Sequence, residues 1–207
     1  MPQMATAASV ITSARYDLRD TGSTEYTDAE LLDYLNRSQV QLYSVLLALH
    51  SDWVHASDTS ITLASGDNSV SVPSNMATVR SIWIDDDQLT KKDVDFIYYK
   101  RKFVSGTGEP DYFALEAQTF IFELTADADY DLTIYYNKNS TALELIGSMP
   151  FNDEFNQPIR QAITVQAKSR NEYDILGDAA LFDFMMDAAL TKVVSRNHTP
   201  KGYRINF

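Results

Sequence analysis

From Thr27 to Trp53 apolar side chains return at alternating three- and four-residue steps. Leu32, Leu35, Leu42, Leu46, Leu49 and Trp53 therefore share one face of a helix, with Gln39 in the middle of the stripe. Thr27 and Glu30 form a capping box at its start, and neither glycine nor proline interrupts it. Such a helix would be about 35–40 Å long. A stripe only one face wide on so long a helix asks for partners: other helices of the chain, copies of itself, or a different protein. Leu32, Leu35, Leu42, Leu46 and Leu49 are expected to pack inside the subunit. The polar flank of Asp33, Asn36, Arg37 and Gln41 is expected to meet a neighbour.

A first helix is predicted over 3–18, with Ala7, Val10, Ile11, Ala14 and Leu18 on one side and a turn-rich break at 19–24. After Trp53 the period shortens to two. Ser60–Leu63 and Ser69–Val72 flank a turn and read as a hairpin. Val79–Ile84 is a strand, Asp85–Asp87 a polar turn, and Gln88–Lys91 a return strand. Val94–Phe103 fits both a buried strand and a short helix and is read as helix; residues 105–110 form a loop. Tyr112–Leu115, Thr119–Leu124 and Tyr130–Asn137 read as an antiparallel meander, with Leu132, Ile134 and Tyr136 on one face.

Helical spacing returns with Ile159, Ala162, Ile163, Gln166 and Ala167, to end near Ile175–Leu176. Gly177 is the expected stop and Asp178 the cap of a last helix that buries Leu181, Phe184, Met185 and Ala188. Like elements at both ends predict an α+β chain. Residues 1–56 and 150–197 would form an antiparallel helical bundle, with an antiparallel β-domain inserted at 57–149 and a C-terminal arm at 198–207.

With 207 residues, 44% of them hydrophobic, the chain can bury a sizeable core. A formal net charge of −12 repels phosphates and argues against reading nucleic-acid sequence. There is no cysteine, hence no thiolate chemistry, and no run approaches a membrane span or a secretory signal; synthesis in the cytoplasm is expected. His50, His55 and His198 lack metal-ligand spacing, Gly106-Thr107-Gly108 lacks the context of a phosphate loop, and Asp85–Asp87 lacks the pattern of a calcium loop. No metal or cofactor is expected. Lys91, Lys92, Lys100, Arg101 and Lys102 are the main basic patch, interleaved with Tyr98, Tyr99 and Phe103, and read as a surface for an acidic partner. In the tail, Arg196, Lys201 and Arg204 alternate with Tyr203, Ile205 and Phe207, as in a segment that adds as a strand or peg to a neighbour.

Three ordered motifs carry a resemblance. Y-T-D-A-E-L-L-D-Y-L-N-R-S-Q (26–39), then G-E-P-D-Y-F-A-L (108–115) leading through F-I-F-E-L to Y-D-L-T-I-Y-Y (130–136), then I-L-G-D-A-A-L-F (175–182) together resemble the bacteriophage head-to-tail adaptor (connector, head-completion) family of tailed, short-tailed phages. Val72-Pro73-Ser74-Asn75 departs from the family's usual turn after the first hairpin. The resemblance implies a structural virion protein with no catalysis. It would be a homo-oligomeric ring at the head–tail junction, a dodecamer when assembled and a monomer in solution, built in the host cytoplasm. Implied partners are the portal protein, tail tube, nozzle or fibre proteins and other copies of the chain, with DNA passing through unread and no membrane contact. The helical flank (Asp33, Asn36, Arg37, Gln41) and the arm (Arg196, Lys201, Tyr203, Arg204, Ile205, Phe207) would serve portal and subunit contacts. The basic patch would meet a tail component.

Two other classes stay open. One is a carbohydrate- or ligand-binding module using the aromatic β-face of Tyr112, Phe113, Phe120, Phe122, Tyr130, Tyr135 and Tyr136; the other is an enzyme using paired carboxylates.

Overall fold

The computed structural model describes residues 5–49, 52–104, 106–151, 153–171 and 176–197. It is α+β and divides into two compact units, 1–53 with 140–207, and 54–139.

The first unit holds four helices: α1 (Ala7–Leu18), α2 (Asp28–Ala48), α4 (Asp153–Arg170) and α5 (Leu176–Asn197). The third helix, α3 (Val94–Phe103), belongs to the other unit. Helix α4 packs against α1, α2 and α5. Its side chains Phe155, Ile159, Ile163 and Ala167 are buried with Val10, Ile11 and Ala14 of α1 and Leu31, Leu35, Leu42 and Leu46 of α2. The Thr27 capping box forms as the sequence indicates: Glu30 N donates to Thr27 Oγ1 at 3.2 Å and Thr27 N to Glu30 Oε2 at 2.9 Å. Thr6 and Ser9 make an equivalent pair at the start of α1.

Helix α2 is shorter than its stripe suggested. It ends at Ala48 with Leu49 as its cap, so its 21 residues span about 31 Å. Leu49 is exposed and Leu32 only half-buried, whereas Leu31, Ser38 and Tyr43 are buried. Trp53 lies beyond the helix end, in a short 3-10 turn (Asp52–Val54), with its ring edge-on to Phe155 at 6.4 Å.

The last helix also differs from expectation. Gly177 and Asp178 sit in the first turn of α5, and α4 already ends at Arg170; Ile175 lies outside the described residues. Leu181 and Phe184 are 42% and 72% exposed, Ala188 is exposed and Met185 half-buried, while Ala189 is buried. Phe182 and Met186 line the inner side instead. The segment Leu176–Asn197 is apolar nearly all round, so a 3.6-residue period does not single out one stripe.

In the second unit, β1 (His55–Leu63), β8 (Tyr130–Lys138), β3 (Met76–Ile84) and β4 (Asp87–Gln88) form one antiparallel sheet in the order β1-β8-β3-β4. A second sheet has the order β2-β7-β6-β5, from β2 (Ser69–Ser71), β7 (Thr119–Phe122), β6 (Tyr112–Glu116) and β5 (Thr90–Lys91); β5 joins β6 in parallel. Both sheets feed one apolar cluster that includes Leu63, Ile82, Leu132 and Ile134 from the first and Phe113, Phe120 and Phe122 from the second.

Three sequence expectations are corrected here. β1 and β2 are not a hairpin but lie in different sheets. Gly66, at φ +90°, helps turn the connecting loop along 122–126 instead of back: Gly66 N donates to Ala126 O at 2.8 Å and Phe122 N to Asn68 O at 2.9 Å. Likewise only β6 and β7 form a hairpin of the supposed meander, since β8 crosses into the first sheet between β1 and β3. The return strand after Asp85–Asp86 is likewise split, Asp87–Gln88 pairing with β3 and Thr90–Lys91 with β6. Val94–Phe103 is helix α3. Its one buried residue, Ile97, covers Ala114 and Ile121 on the outer face of the second sheet. Helix cover on one side and the core on the other explain why Thr119–Phe122 reads as a continuous apolar run.

Candidate interaction surfaces

The polar flank of α2 is half exposed surface and half internal clasp. Asp33 and Arg37, one turn apart, form an ion pair at 2.6 Å with both side chains more than half exposed, and Gln41 is exposed beside them. Exposed pairs of this kind contribute little to stability, so these groups are available for other contacts. Asn36 is engaged within the unit. Its Nδ2 donates to Leu143 O at 3.2 Å, and its Oδ1 accepts from Leu143 N at 2.8 Å. Gln39, one turn on, donates through Nε2 to Thr141 O at 2.9 Å. The glutamine that breaks the apolar stripe thus ties down the chain where it re-enters the helical unit. The connector then runs to the start of α1, where Ala7 N donates to Gly147 O and Met149 N to Ala5 O.

Apolar side chains stay exposed on this unit: Val40 and Val45 on α2, Leu181 and Phe184 on α5. Between α2, α4 and α5 lies a cavity of about 240 Å³ lined by Leu42, Val45, Ile159, Ala162, Phe182 and Met186, and of the four exposed residues Val45 alone is in that lining.

A buried polar hub, which no motif announced, fixes the turn before α2. Asp20 Oδ1 accepts from Thr24 N (2.7 Å), Thr24 Oγ1 (3.0 Å) and Glu25 N (3.2 Å), and Oδ2 from Tyr26 N (3.1 Å) and Arg15 Nη1 (2.9 Å). Arg15 also reaches Asp28 at 2.6 Å. Burial alone would raise the Asp20 pKa, but the donated backbone hydrogen bonds outweigh it and hold the carboxyl at about 2. The signal was an Arg and an Asp five apart just before a Gly-Ser-Thr break, too common a pattern to single out.

On the β unit the basic patch resolves into distinct roles. Arg101 is a fastener: its Nε donates to Phe122 O at 2.8 Å and its Nη2 to Asn68 O at 2.7 Å, tying α3 to β7 and to the loop before β2. Lys92 and Lys100 place their ammonium groups 5.4–5.8 Å from the ring centres of Phe96 and Tyr112, within cation–π range. Lys91 and Lys102 are exposed. Tyr99 and Phe103, 59% and 63% exposed, stack at 4.8 Å with Lys102 over the Phe103 ring. Across 91–102 five cations face two carboxylates in an otherwise acidic chain. Exposed aromatic rings such as this pair are of the type enriched at interfaces. Beneath them the buried Glu123 accepts from the N–H groups of Asp111 (2.7 Å) and Tyr112 (2.9 Å); burial raises its pKa despite those bonds.

Of the aromatic residues considered for a ligand face, Phe113, Phe120, Phe122 and Tyr136 are core, Tyr112 and Tyr130 are half-buried, and Tyr135 is exposed. Arg196 lies on α5, and Lys201, Tyr203, Arg204, Ile205 and Phe207 lie outside the described residues. His50 and His198 do too. Among the described residues no cluster of His, Cys, Asp and Glu is placed to hold a metal, and no helix is long and apolar enough to cross a membrane.

No curated protein matches the chain. The family model of the SU10 adaptor protein matches residues 5–204, taking in both units and all five helices. The resemblance carried by the three ordered motifs is thereby shown, and the chain belongs to the SU10 adaptor protein family, a family of phage head-to-tail adaptors.

Proposed function

We propose that the protein is a structural virion subunit that assembles as a ring, a dodecamer, joining the portal to the tail and lining the channel through which DNA leaves. In this reading the terminal helices form an antiparallel bundle and the chain has no catalytic role. It is made as a monomer in the host cytoplasm and resides at the head–tail junction of the virion. The observation that carries the proposal, beside the family, is the wet apolar surface of the helical unit. Leu181 and Phe184 on α5 and Val40 and Val45 on α2 stand exposed, and Val45 also lines an apolar cavity, more than a lone soluble subunit has reason to leave uncovered.

Asp33, Arg37 and Gln41, with Asn36 behind them, and the arm residues Arg196, Lys201, Tyr203, Arg204, Ile205 and Phe207 serve portal and subunit contacts. Lys91, Lys92, Lys100 and Lys102, on the scaffold that Arg101 fastens, meet a tail component. The net charge of −12 suits a channel that DNA passes without sticking. The test is to mix the purified protein with the portal protein of its phage and size the product. A co-migrating ring is expected; separate elution of the two at every ratio would overturn the reading.

A further inference from the structure

A groove of about 600 Å³ lies on the outer face of the first sheet, away from α3 and its basic patch. Two aromatic rings form its floor. In the register of β3 and β8, Trp83 stands opposite Thr133 and Ser81 opposite Tyr135, so the indole and phenol are diagonal neighbours on adjacent strands. A register shift between Val79 and Ser81 brings Arg80 to the same exposed side. The tight turn after β3, where Asp85 takes φ +48°, sets Asp85 and Asp86 at the other end, with Gln88 beside Trp83.

Trp83 Nε1 already donates to Ser81 Oγ at 3.0 Å. The indole is thereby held in one orientation and offers its face, not its polar edge. The surrounding polar groups are in the opposite condition. Among the described residues Arg80, Asp85, Asp86, Gln88, Thr133 and Tyr135 make no side-chain hydrogen bond or ion pair. A guanidinium at one end, carboxylates at the other and neutral hydroxyls between give a groove with both donors and acceptors. A phosphate-bearing ligand would face two carboxylates, and an apolar one would strand the polar rim. A chain of neutral sugar rings has apolar C–H faces to lie on Trp83 and Tyr135, and hydroxyls that donate to the carboxylates and accept from Arg80 and Gln88.

We propose that this groove is a binding site for a neutral oligosaccharide, with Trp83 and Tyr135 as the stacking platform and Arg80, Asp85, Asp86 and Gln88 as hydroxyl partners. The site is independent of the adaptor reading, because none of its residues belongs to the surfaces assigned there. The full chain carrying Trp53→Phe keeps Trp83 as its single indole, and its fluorescence is titrated with maltohexaose, cellohexaose and chitohexaose, with calorimetry on the unsubstituted chain alongside. At least one of the three is expected to give a saturable change. Trp83→Ala, read by calorimetry, and Tyr135→Ala should each weaken it about tenfold or more, as loss of a stacking ring does, and Asp86→Asn should weaken it less. Tyr135 and Asp86 are exposed and Trp83 is half-buried outside the core cluster, so circular dichroism should show each variant folded. No saturable signal with any of the three sugars, or binding undiminished in Trp83→Ala, would overturn the assignment.

Discussion

Replacing Gln39 with leucine should leave the helical unit as stable as before or more so, although it removes a hydrogen bond in the middle of α2. The side chain is 1% exposed. Its Nε2 donates to Thr141 O at 2.9 Å, but its Oε1 is buried with no partner among the described residues. Losing the neutral hydrogen bond costs about 1 kcal/mol, and the exposed Thr141 carbonyl can turn to water. Removing a stranded carbonyl returns about 1–3 kcal/mol, and refitting a branched side chain takes back up to about 1 kcal/mol. The net lies between a loss of about 1 and a gain of about 2 kcal/mol and centres on a small gain, worth a degree or two in Tm at roughly 2–4 °C per kcal/mol. Urea denaturation followed by far-UV circular dichroism measures it, with an unchanged slope showing that only stability has moved. Asn36→Ala is the contrast. It breaks two bonds to Leu143 and strands a half-buried N–H, so a loss of about 1–2 kcal/mol is expected. A loss above 1 kcal/mol in Gln39→Leu would refute the reasoning, because Oε1 must then have a partner that offsets its burial.

Acid unfolding tests the Asp20 hub. With its folded pKa at about 2, below the ordinary carboxylate value, its contribution is present above about pH 4 and lost as pH falls towards 2; Asp20→Asn should be less stable at neutral pH and should flatten that acid limb. Leu42→Ala should cost about 2–5 kcal/mol, nearer the lower figure because Leu42 borders the cavity between α2, α4 and α5, and the same denaturation curves report it. Phe184→Glu and Arg37→Glu both alter exposed sites, so each should shift stability by no more than about 0.5 kcal/mol while abolishing co-migration with the portal. Unfolding of either variant would show that α5 and the α2 flank are internal surfaces.

What was legible in the sequence was what local chemistry decides. The Thr27–Glu30 box has one geometric solution, and the helix opens where it says. Gln39 was visible as an anomaly in an apolar stripe, but its reason was not, because its partner lies 102 positions away, where the chain returns from the β unit. The same distance effect hid the sheet order. Alternation along 60–72 marks two strands, yet nothing local says whether they pair with each other; that is settled by backbone groups at 122–126 that take up the loop. Among the candidate contact residues identity was legible and role was not. Arg101 and Lys102 are neighbours in one basic run, but the helix turns Arg101 onto the carbonyls of Phe122 and Asn68 and leaves Lys102 over an exposed ring. On α5, where apolar residues run nearly all round, the period could not choose a face. On the proposed reading a subunit that buries one side of a helix within itself and offers the other to a neighbour needs such a helix, and the ambiguity in the pattern would then be the mark of that interface.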